Sequence, residues 1–377
     1  MNITEEQAKK DNNIENKIQT FFKRYALSGL GRAAAMHWIK KAFEGNDEDL
    51  ARIRPYLLLL LNDKPSVIPI SPWQKGCPEI IPKLRALATW DISLFNFTKK
   101  LEASFKDIKE ELLSLKGLEN VDGKRGFQPY RAPSWASKRQ AKDGVGSISH
   151  DAGNWNVYYL YLHNVDFQEN RDRCPKTVAL LDSIDNLYGH CFFSTLAPKT
   201  HITKHHGPTN KKLRVHLPLI VPNDDDDGTN KDGDTDTTTK SNKKSCRLRV
   251  GDDIINVTEG KCYIFDDSLE HEAWNDHSNQ ARIVLIFDIW HPDLTKKEIK
   301  FLSFLRKAEM KLEKKLCELA AANDHNLTKD DGGSNNTTYD VINRKITYLF
   351  QHEADTTSVI FQNERIIVTC IISFWWW

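Results

Sequence analysis

The stretch His205–Leu219 reads HHGPTNKKLRVHLPL. Two adjacent imidazoles lead into a Gly-Pro turn, and a strand-like run follows it. In that run Leu213, Val215, Leu217 and Leu219 alternate with Arg214 and His216, so the two sets point to opposite faces of a strand. One face is apolar. The other carries a guanidinium and an imidazole, which is costly in an interior unless an anionic ligand meets them.

The β texture extends to both sides of this run. NVYYLYL (156–162), HCFFSTL (190–196), CRLRV (246–250), DIINV (253–257), KCYIF (261–265) and RIVLIFDIW (282–290) are short and rich in Val, Ile, Phe and Tyr. Turns such as Gly251-Asp252 and Glu259-Gly260 separate them. Many short strands at this spacing predict a sandwich, barrel or jelly roll. A helix near 174–187 interrupts the series early.

Outside this region the period is helical. Ile14, Ile18, Phe21, Phe22 and Tyr25 recur every three to four residues, and AAAMHWIKKAF (33–43) continues the pattern as the second arm of a hairpin. Leu94–Leu118 reads as one amphipathic helix, and 127–153 is rich in turn residues. KKEIKFLSFLRKAEMKLEKKLCELAAA (296–322) is a further helix. The expected organisation is an N-terminal helical region over 1–125, a β domain over 126–294 and a C-terminal helix with a poorly defined tail over 295–377. A low-complexity insertion over 223–245 interrupts the β domain. Asn223, Asp225, Asp227, Gly228 and Asp234 fall there at calcium-loop offsets. No helices flank them and the last position is Asp rather than Glu, so calcium binding is not expected.

Over 377 residues the net charge is only +1, so no global field argues for a nucleic-acid or anionic membrane partner. The seven cysteines are scattered with no C-x-x-C pair, which suits reduced thiols in a cytoplasmic setting. The opening MNITEEQAKKDNN is too polar for a signal peptide, and no run approaches the roughly 20 apolar residues of a membrane span.

His205 heads one strand, and His271 lies in FDDSLEHEAW just after another. A jelly roll brings such strands together, so the two imidazoles can converge on one metal. Arg282 opens a very apolar strand, where it either clamps a carboxylate or pairs with Asp288 or a neighbouring acid. Asp266, Asp267, Glu270 and Glu272 read as turn caps, or as groups orienting a ligating histidine, rather than as a hydrolytic pair.

GNW (153–155), HITKHHGPTNKKLRVHL (201–217), EGKCYIFDDSLEHEAW (259–274) and RIVLIFDIWHPDL (282–294) together resemble the aspartyl/asparaginyl β-hydroxylase family. The resemblance implies a double-stranded β-helix (jelly roll, cupin-like) core, with the N-terminal helices and a C-terminal helix packed outside it. It implies a dioxygenase that uses Fe(II), 2-oxoglutarate and O2 to hydroxylate an unactivated carbon. His205 and His271 are then the iron ligands. Most such oxygenases add a carboxylate two residues after the first histidine; Gly207 stands there here, a departure the family itself shows. The resemblance assigns Arg282 and Ser194 to the distal carboxylate of 2-oxoglutarate and His216 and Arg214 to its metal-proximal end. It places Trp155 in the wall of the site.

The substrate expected is a polypeptide, at the β-carbon of Asp or Asn. The alternatives are the same chemistry on a lipid acyl chain or small molecule, or a non-catalytic cupin-like binding module.

Overall fold

The computed structural model describes residues 15–44, 47–61, 71–115, 127–129, 150–152, 155–162, 167–223 and 244–327. The acidic-loop positions Asp225, Asp227, Gly228 and Asp234, and the tail beyond 338, lie outside these. The chain divides into two compact units; of the described residues, 15–61 and 295–327 belong to the first and 71–223 with 244–294 to the second. The N-terminal helical region expected over 1–125 is therefore shared between the two units.

In the first unit, residues 15–24 form helix α1, followed by α2 (Gly29–Glu44), α3 (Ile53–Leu61) and, from the far end of the chain, α8 (Lys296–Leu327). Phe21, Phe22, Ile39, Ile53 and Leu57 are buried, as are Phe301, Leu302 and Leu305 of α8. Thr295 and Glu298 form a capping box at the start of α8, each accepting the other's backbone N–H. The buried Glu298 carboxylate also accepts from the Arg52 guanidinium at 3.1 Å.

The second unit holds two antiparallel sheets. The larger has seven strands in the order β1-β10-β7-β12-β5-β4-β2. These are β1 (Thr89–Trp90), β2 (Gln128–Pro129), β4 (Trp155–Leu162), β5 (Leu187–Leu196), β7 (Lys212–Ile220), β10 (Tyr263–Phe265) and β12 (Arg282–Trp290). The smaller has five, in the order β3-β6-β11-β8-β9: β3 (His150–Ala152), β6 (Thr200–His205), β8 (Cys246–Val250), β9 (Asp253–Asn256) and β11 (His271–Asn275). From β5 onward the chain switches sheet at almost every turn: large, small, large, then β8 and β9 small, large, small, large. That alternation of antiparallel strands is the double-stranded β-helix expected from the sequence.

The period of two in β7 and β12 sorts their side chains as the sequence implied. Leu213, Val215, Leu217, Leu219, Leu285, Phe287 and Ile289 face outward into one apolar cluster. Helices α4 (Phe97–Ala103), α5 (Phe105–Ser114) and α7 (Pro175–Asp182) cover that face with Leu101, Ile108, Leu112, Leu180 and Leu181; the short α6 (Gln168–Asp172) precedes α7. The single helix expected over Leu94–Leu118 is broken at Ser104, whose backbone (φ −84°, ψ 4°) leaves the helical range and caps both halves. The break lets Leu101 and Ile108 both reach the same sheet. A second cluster, including Trp155, Val157, Phe192, Leu196, Val284 and Ile286 of the large sheet and Ile202, Leu248, Val250 and Ala273 of the small one, fills the space between the sheets. The polar residues of interest are set into that second layer.

Candidate active site

β6 and β11 pair antiparallel with His205 opposite His271, and the two rings lie 4.0 Å apart between centroids. Both imidazoles are anchored alike. His205 Nδ1 lies 2.7 Å from the Thr203 carbonyl and His271 Nδ1 lies 2.8 Å from the Leu269 carbonyl, in each case the residue two back. A carbonyl only accepts, so each Nδ1 carries the proton and each Nε2 keeps its lone pair. Burial holds both imidazoles neutral: His205 is pushed down to about 4, and His271 well below its ordinary value, with His205 beside it adding to the effect. Two deprotonated nitrogens on fixed rings are ready metal donors at neutral pH.

Gly207 stands where a third, carboxylate ligand would be expected in related oxygenases. A Cβ at this position would come within 2.6 Å of the Asp267 carboxyl carbon, so the turn closes only with glycine. Among the described residues no cluster of three or more His, Cys, Asp or Glu side chains could hold a metal ion. His205 and His271 are the paired imidazoles that this turn leaves side by side.

A row of rings leads inward from that pair. Phe265 lies 5.6 Å from His271 and 5.0 Å from His216, and His216 Nδ1 shares a 2.8 Å hydrogen bond with the Tyr263 hydroxyl. Burial and the nearby positive charges of Arg282 and Arg214 press the His216 imidazole well below its usual range. Arg282 is 2% exposed, opposite Leu196 on the inner face of the large sheet. Its Nε and Nη1, and Nε2 of His216, are buried with no hydrogen-bond partner among the described residues. Leaving buried N–H donors of a guanidinium unmet costs roughly 1–3 kcal/mol or more, a cost that an anion in this corner would relieve. Ser194 and Trp155 line the same face, and the indole N–H of Trp155 donates to Ser194 Oγ at 2.9 Å. The serine's own proton then remains to be donated.

Arg214 has a different setting from the one the resemblance implies. It lies directly opposite Asp288 across β7 and β12 and grips that carboxylate at 2.9 and 3.1 Å, with Asp267 at 3.3 Å. Lys212, fully buried, completes the cluster at 2.6 Å from Asp267 and 3.0 Å from Asp288. His190 Nδ1 donates to Asp288 from the third side at 3.1 Å. Burial alone would raise Asp288, but Arg214, Lys212 and His190 outweigh it and hold the carboxyl well below its usual range. The acid that could have paired with Arg282 is thus taken, six residues away on the same strand, or roughly 20 Å.

The four acids of FDDSLEHEAW behave as caps and ion partners. Asp266 Oδ1 accepts from the Ser268 N–H and hydroxyl, while Glu270 and Glu272 bind the Arg249 guanidinium. Among the described residues no carboxylate orients either imidazole; the backbone carbonyls of Thr203 and Leu269 do. The neighbouring His206 ring is turned to the Trp73 carbonyl, with Nε2 3.0 Å from that oxygen. Tyr263, Phe265 and Lys212 are the residues that sequence reasoning missed; Asp288 was weighed there only as a partner for Arg282. Lys212 was findable, since it shares the inward face of Arg214 and His216 at the same period of two.

Asp266 carries a separate prediction. Burial, with Asp267 adjacent, pushes its carboxyl from 3.8 up to about 7. Between roughly pH 4 and 7 the unfolded chain releases a proton that the folded chain keeps, so this group's contribution to stability is lost as pH rises through that window. Asp266→Asn removes the titration while keeping an oxygen for Ser268. It is expected to gain about 1–2 kcal/mol over wild type at pH 8 and almost nothing at pH 4. Urea unfolding at the two pH values checks this; an advantage that does not grow with pH contradicts it.

The fold and the site define the class: a jelly roll with two paired histidines, and with a buried arginine, Arg282, on the inner face of its large sheet. The chain belongs to the aspartyl/asparaginyl beta-hydroxylase family, whose model matches residues 102–292. It is similar to human aspartate beta-hydroxylase domain-containing protein 2, at 28% identity over 301 residues, covering 78% of this chain and 65% of that protein. It is also similar to mouse aspartyl/asparaginyl beta-hydroxylase, at 33% over 242 residues, covering 62% of this chain and 27% of that one. A bacterial relative is the ornithine lipid ester-linked acyl 2-hydroxylase of Rhizobium tropici, 29% identical over 235 residues, covering 61% and 72%. The chain spans less than two thirds of the length of the first two. Among the described residues no helix is long and apolar enough to cross a membrane.

Proposed function

We propose that this chain is an Fe(II)- and 2-oxoglutarate-dependent dioxygenase that hydroxylates the β-carbon of Asp or Asn in a polypeptide. The observation that carries the reading is the buried Arg282 guanidinium, whose Nε and Nη1 meet no partner among the described residues, in the same unit as two imidazoles with their Nε2 lone pairs available. His205 and His271 would hold the iron through Nε2, a neutral donor set suited to a divalent transition metal. Arg282 would bind the distal carboxylate of 2-oxoglutarate bidentately, with Ser194 donating its hydroxyl proton to the same group. His216 Nε2 would meet the cosubstrate between that end and the metal, its ring held by Tyr263. Arg214, fixed by Asp288 and Asp267, would add positive field behind the metal-proximal carboxylate.

When bound, the metal and cosubstrate supply oxidative decarboxylation of 2-oxoglutarate by O2, coupled to insertion of one oxygen atom into a C–H bond. The chain contributes orientation and dryness. Phe265, Val284 and Ile286 exclude water between the donor pair and the cationic corner, and the Nδ1–H anchors stop the imidazoles from rotating.

Purified protein given Fe(II), ascorbate and 2-oxoglutarate is expected to release succinate slowly, and faster with an Asp- or Asn-containing peptide that gains one oxygen atom by mass spectrometry. No cosubstrate binding and no succinate would favour a cupin-like binding module. The bacterial acyl 2-hydroxylase relative supports a second reading, the same chemistry on a lipid acyl chain. An oxygen gained by a lipid and by no peptide would decide for it.

A further inference from the structure

The segment Ser71–Ile81 lies upstream of the residues matched by the family model and carries no motif. It runs across both turns that present the two imidazoles. The Trp73 carbonyl oxygen accepts two N–H groups: the backbone N–H of Glu270 at 2.8 Å and Nε2–H of His206 at 3.0 Å. Glu270 immediately precedes His271, and His206 immediately follows His205. One oxygen atom therefore ties the two turns together from outside the sheet.

Neighbouring bonds fix that oxygen. Ser71 and Gln74 form a capping box around the short turn holding Trp73, and the Gln74 amide donates to Ser268 Oγ at 2.8 Å. Further along, the Glu79 N–H donates to the Pro208 carbonyl at 3.0 Å, and the Ile81 N–H to Asn210 Oδ1 at 2.7 Å. Asn210 returns a bond to the Ile81 carbonyl at 3.0 Å, and Lys211 pairs with Glu79 at 2.7 Å. The segment is thus stitched to the turn after His205 along its length. Gly76 packs so closely on His206 that a Cβ there would lie 2.4 Å from the ring.

On the other side of β11 the sheet is regular, with His271 opposite Val250 of β8, but the pairing that joins the two imidazoles is not. The β6–β11 ladder shifts register between His271 and Ala273, so the His205–His271 pair sits beyond an irregularity at the end of the ladder. With two protein ligands instead of three, the spacing of those two decides more of the metal affinity.

We propose that Ser71–Ile81 is a positioning strap for the metal site and that His206 is its positioning residue, acting through the Trp73 carbonyl on the separation of His205 and His271. This rests on the reading of those two histidines as the metal ligands. Partners that orient ligands typically change metal affinity 10- to 100-fold when removed.

The test uses the full chain and Co(II) alone, titrated by its visible absorption band. In His206→Leu the Co(II) dissociation constant is expected to rise about tenfold or more, with a shifted band. His206→Gln, whose amide nitrogen takes the place of Nε2, should stay within about threefold of wild type. Gly76→Ala, which displaces the ring from the strap side, should reproduce the leucine variant and carries the test if that variant does not accumulate. Arg85→Ala, which removes an ion pair with Asp293 elsewhere in the same unit, should bind as wild type. Wild-type affinity and spectrum in both His206→Leu and Gly76→Ala would overturn the proposal. So would equal weakening in His206→Gln, or in Arg85→Ala, where the loss would be general loosening. Wild-type protein that takes up no Co(II) would instead overturn the two-histidine reading, and the strap's role with it.

Discussion

His271→Ala is expected to weaken Co(II) or Fe(II) binding by at least about a hundredfold, near 3 kcal/mol or more. The reason is arithmetic. The described residues offer two imidazoles and no third protein donor, so the substitution leaves a single nitrogen for the metal. Because His271 is buried and neutral, the change also leaves a void and strands the Leu269 carbonyl, at a cost of roughly 1–3 kcal/mol in stability. Circular dichroism separates that loss from the binding loss. A folded His271→Ala protein with wild-type metal affinity would place the metal elsewhere.

Arg282→Ala is expected to raise the 2-oxoglutarate dissociation constant by about 30-fold or more, at least about 2 kcal/mol, while leaving Co(II) affinity nearly unchanged. The guanidinium is buried opposite Leu196, where a charge-assisted bond is little weakened by water. Arg282→Lys keeps the charge but loses the fork, so its loss should be intermediate. Isothermal titration of the cobalt-loaded protein measures both ligands. Matching losses in metal and cosubstrate, or none, would remove the role assigned to Arg282.

Much of this site was legible because β-strand alternation is a strong rule. Arg214 and His216 on one face and four aliphatics on the other put polar groups inward that need a negative partner, and for Arg214 the structure supplies it from the chain itself, at Asp288. The choice between Arg214 and Arg282 as partner for Asp288 was not legible, because it depends on cross-strand register: Asp288 faces Arg214 directly and lies six residues from Arg282 along β12. The break at Ser104 was hidden because helical apolar spacing runs through it. The strap was invisible for a different reason. Its central acceptor is a backbone carbonyl, at Trp73, and every residue has one. The acids around His271 promised orientation of a ligand, yet the job falls to the carbonyls of Thr203 and Leu269.

The most direct measurement is a crystal grown without oxygen in Co(II) and 2-oxoglutarate, with the cobalt located by its anomalous signal. The account predicts one cobalt bound to Nε2 of both His205 and His271, and a dicarboxylate whose far end lies on Arg282. Cobalt held by other side chains, or a dicarboxylate that leaves Arg282 untouched, would contradict it.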